Sequence, residues 1–305
     1  MGKKVKHNPE ISVVVPALNE EKPLSRLFEC LERQTFRNFE VIVADAGSKD
    51  ATRKIAGEHG AQVVEGGLPG VGRNRGASRA SGEFLLFLDA DVQIGEDFLE
   101  NSIDEIRQRD IQIGGCEAVP LSDSAFDRLI HQTAFLLMKL TSDTNPRLPG
   151  YCMFFKKGVF DAVGGFDEDV QLAEDYDLVR RATEIAPLRM LESVQVQVSM
   201  RRFDKEGRLP YIGKAVKVFF HRKMKGEIRD GSIEYEFDNF DETEKPDFIK
   251  QLKKIEKKLE KIDRKVRKNA DISRTASKRM NIVIQESIRR MKKLLGTDNG
   301  DRSGG

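Results

Sequence analysis

Short apolar runs alternate with amphipathic stretches between residues 11 and 88. The runs at 11–15, 39–44, 61–64 and 84–88 are rich in Val, Ile, Leu, Phe and Ala, which predicts buried strands. The stretches between them predict helices, most clearly after Pro23, where apolar residues recur every three or four positions. This alternation predicts an open, largely parallel α/β sheet with helices on both faces.

The pattern is less regular beyond residue 91. It predicts strands at 111–119, 153–155 and 194–200, and helices at 98–106, 126–140, 173–185 and 209–225. The helix at 126–140 has a strongly apolar end. We interpret this end as part of the core, with a surface for a lipid-linked acceptor or a membrane as the alternative.

The chain divides into four predicted segments. An α/β domain at 1–230 is followed by an acidic linker at 231–245, a helical extension at 246–296 and a polar, disordered tail at 297–305. Apolar residues in the extension repeat at steps of four and three among Lys and Glu, which is a heptad pattern. We expect a helical hairpin, a coiled coil or a homo-oligomer, with a basic patch against anionic lipid as the alternative.

Composition narrows the class of protein. The 305 residues are 39% hydrophobic with a formal net charge of +2, enough for a well-buried core, and we expect no nucleic-acid partner. Three separated cysteines without CxxC spacing predict reduced, buried thiols. The sequence pattern leads us to expect neither a signal sequence nor a membrane span. We therefore expect a cytoplasmic protein, with peripheral attachment to the cytoplasmic face of the membrane as a hypothesis.

Two aspartates, Asp89 and Asp91, flank Ala90 where the run at 84–88 ends. Ligands bind open α/β sheets at the carboxyl ends of the strands. Two carboxylates there can approach a hard divalent cation such as Mn²⁺ or Mg²⁺. Acid pairs are common on surfaces, so it is the position after a strand that favours a metal site.

Further polar residues lie near predicted helix starts. Arg73 opens the helix before the run at 84–88 and suits a diphosphate, or it is a solvated basic turn. Glu174 and Asp175 lie at the start of the helix at 173–185. A carboxylate there can accept a proton from an acceptor hydroxyl, or it can simply favour the helix dipole.

Four segments, in order, resemble family 2 glycosyltransferases of the GT-A fold. They are PALNEE at 16–21, VIVADAGSKDAT at 41–52, GVGRNRGASRASGEFLLFLDAD at 70–91 and PGYCMFFKKGVFDAVGGFDEDVQLAEDYDL at 149–178. The resemblance covers roughly residues 10–225, and four linked motifs are far more specific than any one of them. It implies a GT-A nucleotide-binding sheet flanked by helices.

The resemblance also implies roles. Asp89 and Asp91 would hold the nucleotide and its metal, with Asp91 the closer ligand, and Asp175 would be the general base with Glu174 beside it. Asp45 would bind the base or ribose. The expected nucleotide-sugar contacts are Pro16, Ala17, Asn19, Glu20, Asp45, Arg73, Asp89, Ala90, Asp91, Arg201 and Arg202.

The sequence departs from the family in two places, and three further residues remain open to two interpretations. Only one acid, Asp45, stands where many members have two. The Q-x-x-R-W motif of processive synthases is absent, and 199–203 is only a loose echo of it. Arg201 and Arg202 would clamp the diphosphate or lie at a solvated strand end. His221 is a candidate third metal ligand, although a surface histidine is the preferred interpretation.

The sequence therefore predicts an inverting, non-processive glycosyltransferase that uses a UDP- or GDP-linked sugar and Mn²⁺ or Mg²⁺. Its acceptor would be an unidentified hydroxyl, lipid-linked or on a glycan. One alternative is a nucleotidyltransferase, which the acidic, glycine-free PALNEE segment opposes. The other is a catalytically silent nucleotide-sugar-binding scaffold that acts through its C-terminal helices.

Overall fold

The computed structural model describes residues 8–230 and residue 233. The predicted heptad-patterned extension and polar tail lie outside the described residues, as does the linker at 231–245 apart from Ile233. Within the described part, no helix is both long and apolar enough to cross a membrane. Cys30, Cys116 and Cys152 are buried free thiols, which matches the predicted state of the cysteines.

The described residues form one sheet flanked by helices. Its strands are β1 Ile11–Ala17, β2 Phe39–Asp45, β3 Gln62–Glu65, β4 Phe84–Leu88, β5 Val92–Ile94, β6 Ile113–Pro120, β7 Cys152–Lys156 and β8 Leu188–Val198. The helices are α1 Glu21–Glu32, α2 Thr52–Glu58, α3 Pro69–Ala77, α4 Phe98–Arg109, α5 Ala125–Thr141, α6 Lys157–Ala162, α7 Glu174–Ala182, α8 Arg201–Glu206 and α9 Arg208–Lys225.

The strand order is β3-β2-β1-β4-β7-β6-β8-β5. The first four strands are parallel, as the alternation predicts. Beyond β4 the sheet is mixed, because β7 runs antiparallel to both β4 and β6, and β5 runs antiparallel to β8. The prediction of a largely parallel sheet thus holds for the first half, whereas in the second half one parallel pair, β6 with β8, lies among antiparallel ones. Apolar runs report burial, whereas strand direction depends on how the connections cross the sheet.

The central strand β4 joins the two halves of the core. All five of its residues are buried. Leu86 and Leu88 pack into the cluster on one face, and Leu85 and Phe87 pack into the cluster on the other. Each such side chain contributes roughly 1.5–3 kcal/mol when fully buried. This packing fixes the end of β4, where the Asp89–Asp91 pair begins.

Several boundaries differ from the sequence prediction. The short strand β5 is not predicted. The last strand covers 188–198, not 194–200. The predicted helix at 209–225 is α9, which begins at Arg208 and is preceded by the short helix α8. In the apolar end of α5, Met138 is buried and Phe135 and Leu137 are half-buried, but Leu136 is 43% exposed, so the core interpretation holds in part.

Candidate active site

The ends of β1 and β2 bring the first predicted nucleotide contacts to one edge of the sheet. Ala17 pairs with Asp45 at the last position of the parallel ladder. Asn19 follows with a left-handed φ of 53°, a conformation that asparagine tolerates better than most residues. Its backbone N–H donates to Ser48 Oγ at 2.9 Å, and its side-chain oxygen accepts from the Lys49 N–H at 2.9 Å. The turns after the two strands are thus bonded to each other.

Asp45 organises its own turn. It is fully buried, and its Oδ2 accepts from the Gly47 and Ser48 N–H groups at 3.1 and 3.2 Å and from Arg53 Nη1 at 3.0 Å. Its Oδ1 is buried and has no hydrogen-bond partner. An unsatisfied buried oxygen is costly. The contact of Asp45 with the base or ribose of a nucleotide stays a prediction.

Arg201 joins the two acidic segments of the site. Its Nη2 lies 2.6 Å from Glu20 Oε1 and 3.1 Å from Asp91 Oδ2, and its Nε lies 3.1 Å from the same Asp91 oxygen. Arg201 begins α8 directly after β8, and Glu20 precedes α1, so the contact spans most of the described chain. Arg202 is half-buried and its charge also acts on Asp91.

Glu20, Asp89 and Asp91 form an acidic cluster whose negative charge Arg201 only partly balances. Burial raises the pKa of Glu20 to about 7 against the opposing effect of Arg201, and the charges of Asp91 and Asp89 raise it further. Burial also raises the pKa of Asp91, although Arg201 opposes this. The second Glu20 oxygen, Oε2, is buried without a partner. The donors are all oxygens, which suits a hard divalent cation.

The predicted metal ligands, Asp89 and Asp91, therefore suit an Mg²⁺ or Mn²⁺ ion, but they supply only two carboxylates. Among the described residues no group of three His, Cys, Asp or Glu side chains is arranged to hold a metal. His221, in α9, is thus not brought into a three-ligand cluster with the aspartates. A cation held by one or two carboxylates keeps water or substrate phosphate in its other positions.

Arg73 lies between the acid pair and the predicted base. Helix α3 begins at Pro69, so Arg73 is in its middle and does not open it as the sequence suggested. Arg73 is buried, with 3% of its surface exposed. Its guanidinium donates to Asp89 Oδ1 at 2.7 Å, to Glu174 Oε1 at 2.9 Å and to the Gly150 carbonyl at 3.3 Å. Its position therefore links β4 to α7.

Asp175 is held by two backbone groups. The Gly150 N–H donates to its Oδ2 at 2.7 Å and the Tyr176 N–H to its Oδ1 at 2.8 Å. Burial raises the pKa of Asp175 to about 7 and Glu174 raises it further, whereas Arg73 and the two N–H groups oppose the shift. The side chain is only half-buried, so it combines a raised pKa with access from outside.

Sequence reasoning missed an aromatic and cationic group beside Asp175. Tyr151, Tyr176 and Tyr211 act electrostatically on one another, and Arg147 acts on Tyr176. These are three of only four tyrosines in the chain, which has no tryptophan. That scarcity, and the position of Tyr151 inside the PGYCMFF segment, are the signals that could have identified the cluster.

The mixed sheet, with acidic side chains after its strand ends and Arg73 hydrogen-bonded between Asp89 and Glu174, defines a GT-A-type α/β protein. Residues 12–164 match the family model "Glycosyl transferase family 2". The chain belongs to this family. The match ends before Glu174 and Asp175 and before both arginines of α8.

Individual relatives are distant. An uncharacterized glycosyltransferase of Rickettsia conorii is 25% identical over 201 residues, which are 61% of this chain and 33% of the relative. Glycosyltransferase AglE of Haloferax volcanii is 26% identical over 189 residues, 58% of this chain and 62% of the relative. The aligned part of this chain thus spans about a third of the first relative's length and under two thirds of the second's.

Solved structures share the fold. S. aureus TarS 1-349 has a TM-score of 0.55 at 18% identity, covering 96% of this chain and 93% of that one. The mannosyltransferase PcManGT from Pyrobaculum calidifontis, solved with GDP-Man and Mn²⁺, has a TM-score of 0.53 at 14% identity, covering 97% and 77%. At these identities the likeness concerns the fold alone.

Proposed function

We propose that this protein is an inverting, metal-dependent, non-processive glycosyltransferase that moves one sugar from a UDP- or GDP-linked donor to an acceptor hydroxyl. The observation that carries the proposal is the pair of hydrogen bonds that the Arg73 guanidinium donates to two carboxylates. It reaches Asp89 on the nucleotide side at 2.7 Å and Glu174 on the base side at 2.9 Å. One buried guanidinium thus holds the two predicted halves of a transfer site together.

The base side supports a single displacement. Glu174 is 8% exposed and forms an ion pair with Arg73, so its negative charge is already balanced. Asp175 is accessible, and burial raises its pKa to about 7, close to the value that suits a general base at neutral pH. Asp175 accepts the proton of the acceptor hydroxyl as the acceptor oxygen attacks the sugar carbon and the bond to the diphosphate breaks. One attack on the opposite face inverts that carbon, and a single base suffices.

The nucleotide side supports binding of a diphosphate with its cation. Asp91 and Asp89 would hold a divalent cation, with the unpartnered Oε2 of Glu20 beside them. Such a cation supplies electrostatic stabilisation of the departing diphosphate. Arg201 donates hydrogen bonds to both Glu20 and Asp91. It provides a positive charge that can turn toward the diphosphate once the acids have a metal.

The donor class is an extrapolation from the fold. PcManGT was solved with GDP-Man and Mn²⁺, and TarS 1-349 with UDP-GlcNAc. We propose the same chemical class, a nucleotide diphosphate sugar, as the ligand of the predicted contacts Pro16, Ala17, Asn19, Glu20 and Asp45. Cytoplasmic placement, a peripheral membrane contact and self-association through 246–296 remain proposals that depend on the sequence.

Calorimetry tests the proposal directly. UDP, GDP and their sugar derivatives are titrated into wild type and Asp91→Ala, each with and without Mn²⁺. We expect one nucleotide to bind in a metal-dependent way and the variant to lose at least tenfold in affinity, because a metal ligand is gone. Asp104→Ala, which removes a carboxylate that is 70% exposed on α4, is the matched control and should bind as wild type does.

Two results would redirect the interpretation. If no nucleotide binds with or without metal, the scaffold alternative replaces the transferase. If a nucleotide binds equally well to Asp91→Ala and without Mn²⁺, the protein binds nucleotides without the proposed metal site, and the metal-dependent mechanism is wrong.

A further inference from the structure

The start of α7, which carries Asp175, is not stabilised by its own sequence. Ala173 occupies the N-cap position with φ 62° and ψ 36°, and it makes no side-chain hydrogen bond to the helix. Among the described residues with positive φ, Asn19, Asp110 and Ala173 are the ones that are not glycine. Alanine lacks the short polar side chain that makes this left-handed conformation tolerable for the other two, and it cannot cap a helix as Ser, Thr, Asp or Asn can. Contacts from elsewhere in the fold must therefore hold this turn.

A short segment after α9 contacts the stretch that leads into α7. We call residues 226–230 the strap. Its residue Ile228 forms an antiparallel bridge with Leu172, and the Gln171 N–H donates to the Ile228 carbonyl at 2.9 Å. Backbone pairing thus ties the strap to the two residues directly before Ala173.

Apolar packing adds to this backbone pairing. Ile228 is fully buried, although the residues on either side of it are not. The cluster that contains it consists of Leu172, Ala173, Val218, Ile228 and Ile233, with Tyr176 packed against it. Ala173 and the residue that follows Asp175 therefore pack against one cluster, to which the strap contributes Ile228. Burial of these side chains favours the turn that alanine by itself would avoid.

Ion pairs flank Ile228 on both sides. Arg229 donates to Asp167 at 3.2 and 2.6 Å. Glu227 accepts from Arg222 of α9 at 2.6 and 3.0 Å, and its Oε1 lies 3.9 Å from Arg180 Nε of α7. Exposed pairs of this kind stabilise little, but they restrict where the strap can lie. The strap is thus connected to α9, to α7 and to the turn before α7.

We propose that the strap positions Asp175 by holding the left-handed turn at Ala173, with Ile228 as the positioning residue. This inference rests on the proposed function, because it takes Asp175 as the base. Asp175 lies two residues after Ala173, and its Oδ2 accepts from the Gly150 N–H at 2.7 Å. A different turn would redirect the first turn of α7 and move this carboxylate away from Gly150. The strap leads directly into residues 231–305, so whatever displaces the strap acts on the base.

Amide exchange tests the positioning without any substrate. The N–H groups of Gly150 and Tyr176 donate to the Asp175 carboxylate at 2.7 and 2.8 Å. Their exchange rates, measured by NMR on the full chain, therefore report whether that carboxylate is in place. Ile228→Ala should accelerate exchange of both amides about tenfold or more, because a cavity replaces buried methyl groups beside the turn. The amides of β4, in the centre of the sheet, should exchange as they do in wild type.

A second substitution separates the turn from general packing. Glycine adopts the left-handed conformation without the steric cost that alanine has, so adding Ala173→Gly to Ile228→Ala should reduce the acceleration about fivefold. Ile228→Val keeps most of the buried side chain and should exchange nearly as wild type does. Ile185→Ala, which shortens an isoleucine that is 54% exposed shortly after α7, is the matched control and should change neither amide.

Transfer of the sugar to water connects the turn to the base. With the nucleotide sugar that calorimetry identifies, a water oxygen attacks the sugar carbon, Asp175 accepts the proton and the bond to the diphosphate breaks. Ile228→Ala should lower kcat about tenfold while KM for the donor stays within about twofold. The pH below which kcat falls should move downward, because burial is the largest cause of the raised pKa of Asp175 and a loosened helix start admits water. A protein that was only less stable would keep the wild-type pH profile.

The outcomes separate the two proposals. Unchanged exchange of the Gly150 and Tyr176 amides in Ile228→Ala, equal acceleration of the β4 amides, or no rescue by Ala173→Gly overturns the role of the strap. If Ile228→Ala does not fold, Arg229→Gln, which breaks a half-exposed pair, should accelerate the same two amides about twofold, and no change there also overturns it. If exchange changes as expected but no nucleotide binds, the proposed function fails and the strap still holds α7.

Discussion

Replacing Arg73 by methionine should destabilise the protein more than almost any other single substitution at the site. Arg73 is 3% exposed, and the side chain of its partner Glu174 is 11% exposed. Methionine fills much of the same space, so the loss of charge dominates. Removing one partner of a buried ion pair costs about 3–5 kcal/mol, because the other charge stays buried and unpaired.

Glu174 and Asp89 contribute unequally to the expected loss of stability. The Glu174 pair, at 2.9 Å, is almost enclosed and carries most of the cost. The Asp89 side chain is 37% exposed, so water compensates it in part and its share is discounted. We therefore expect the free energy of unfolding to fall by about 3 kcal/mol, at the lower end of the range for buried pairs.

A double-mutant cycle isolates the electrostatic cause. Urea unfolding is measured for wild type, Arg73→Met, Glu174→Gln and the double variant. The double variant should recover about 1–3 kcal/mol relative to the sum of the single losses, because it leaves no unpaired charge on the Glu174 side. Arg75→Met, two residues further along α3 with a side chain that is 48% exposed, is the matched control and should change stability by less than about 1 kcal/mol.

The reasoning is refuted if Arg73→Met unfolds within about 1 kcal/mol of wild type, a surface-sized effect. It is also refuted if the single losses simply add in the double variant, since that would mean the two side chains do not interact. Either result would remove the structural link on which the proposed function rests.

Three other changes test separate parts of the structure. Activity in a transfer assay should fall as the pH decreases through about 7, because burial raises the pKa of Asp175 to about 7 and the base must be deprotonated. The Asp175→Asn variant should lose activity at every pH in the same assay. Gly76→Ala should lower the melting temperature, because a Cβ there would lie 2.4 Å from Val14 Cγ1 and overpacking costs about 1–3 kcal/mol. Asp127→Asn should destabilise by about 3 kcal/mol in urea, since the fully buried Asp127 accepts from Arg208 at 2.6 and 2.7 Å.

Each of these has a result that would contradict it. A pH profile for transfer that is flat from 5 to 8 would mean that Asp175 is not the group that titrates. Gly57→Ala, where the added methyl meets nothing within 4 Å, is the control for the glycine substitution, and an equal loss there would rule out the contact with Val14. An Asp127→Asn protein as stable as wild type would mean that α5 and α9 are held together by apolar packing alone.

The sequence determined the elements that depend on local pattern. Buried strands read as unbroken apolar runs, so β1, β2 and β4 and the acids that follow them were placed within a few residues. Parallel strands with helical crossovers bring their carboxyl ends to one edge, and this made the polar residues after β2 and β4 candidates for a site. The nucleotide contacts predicted for Asp45 and Asp89 came from the family resemblance. The linked motifs then gave the family, which the match over 12–164 confirms.

Tertiary structure decided the contacts between distant segments. Arg73 and Glu174 are 101 residues apart, and Glu20 and Arg201 are 181 apart. No spacing rule encodes such pairs, because they depend on where connections cross the sheet. The position of Arg73 between two acids therefore emerged only from the fold. Local pattern selects which residues are available, but the free energy of burying their charges depends on what the folded chain places beside them.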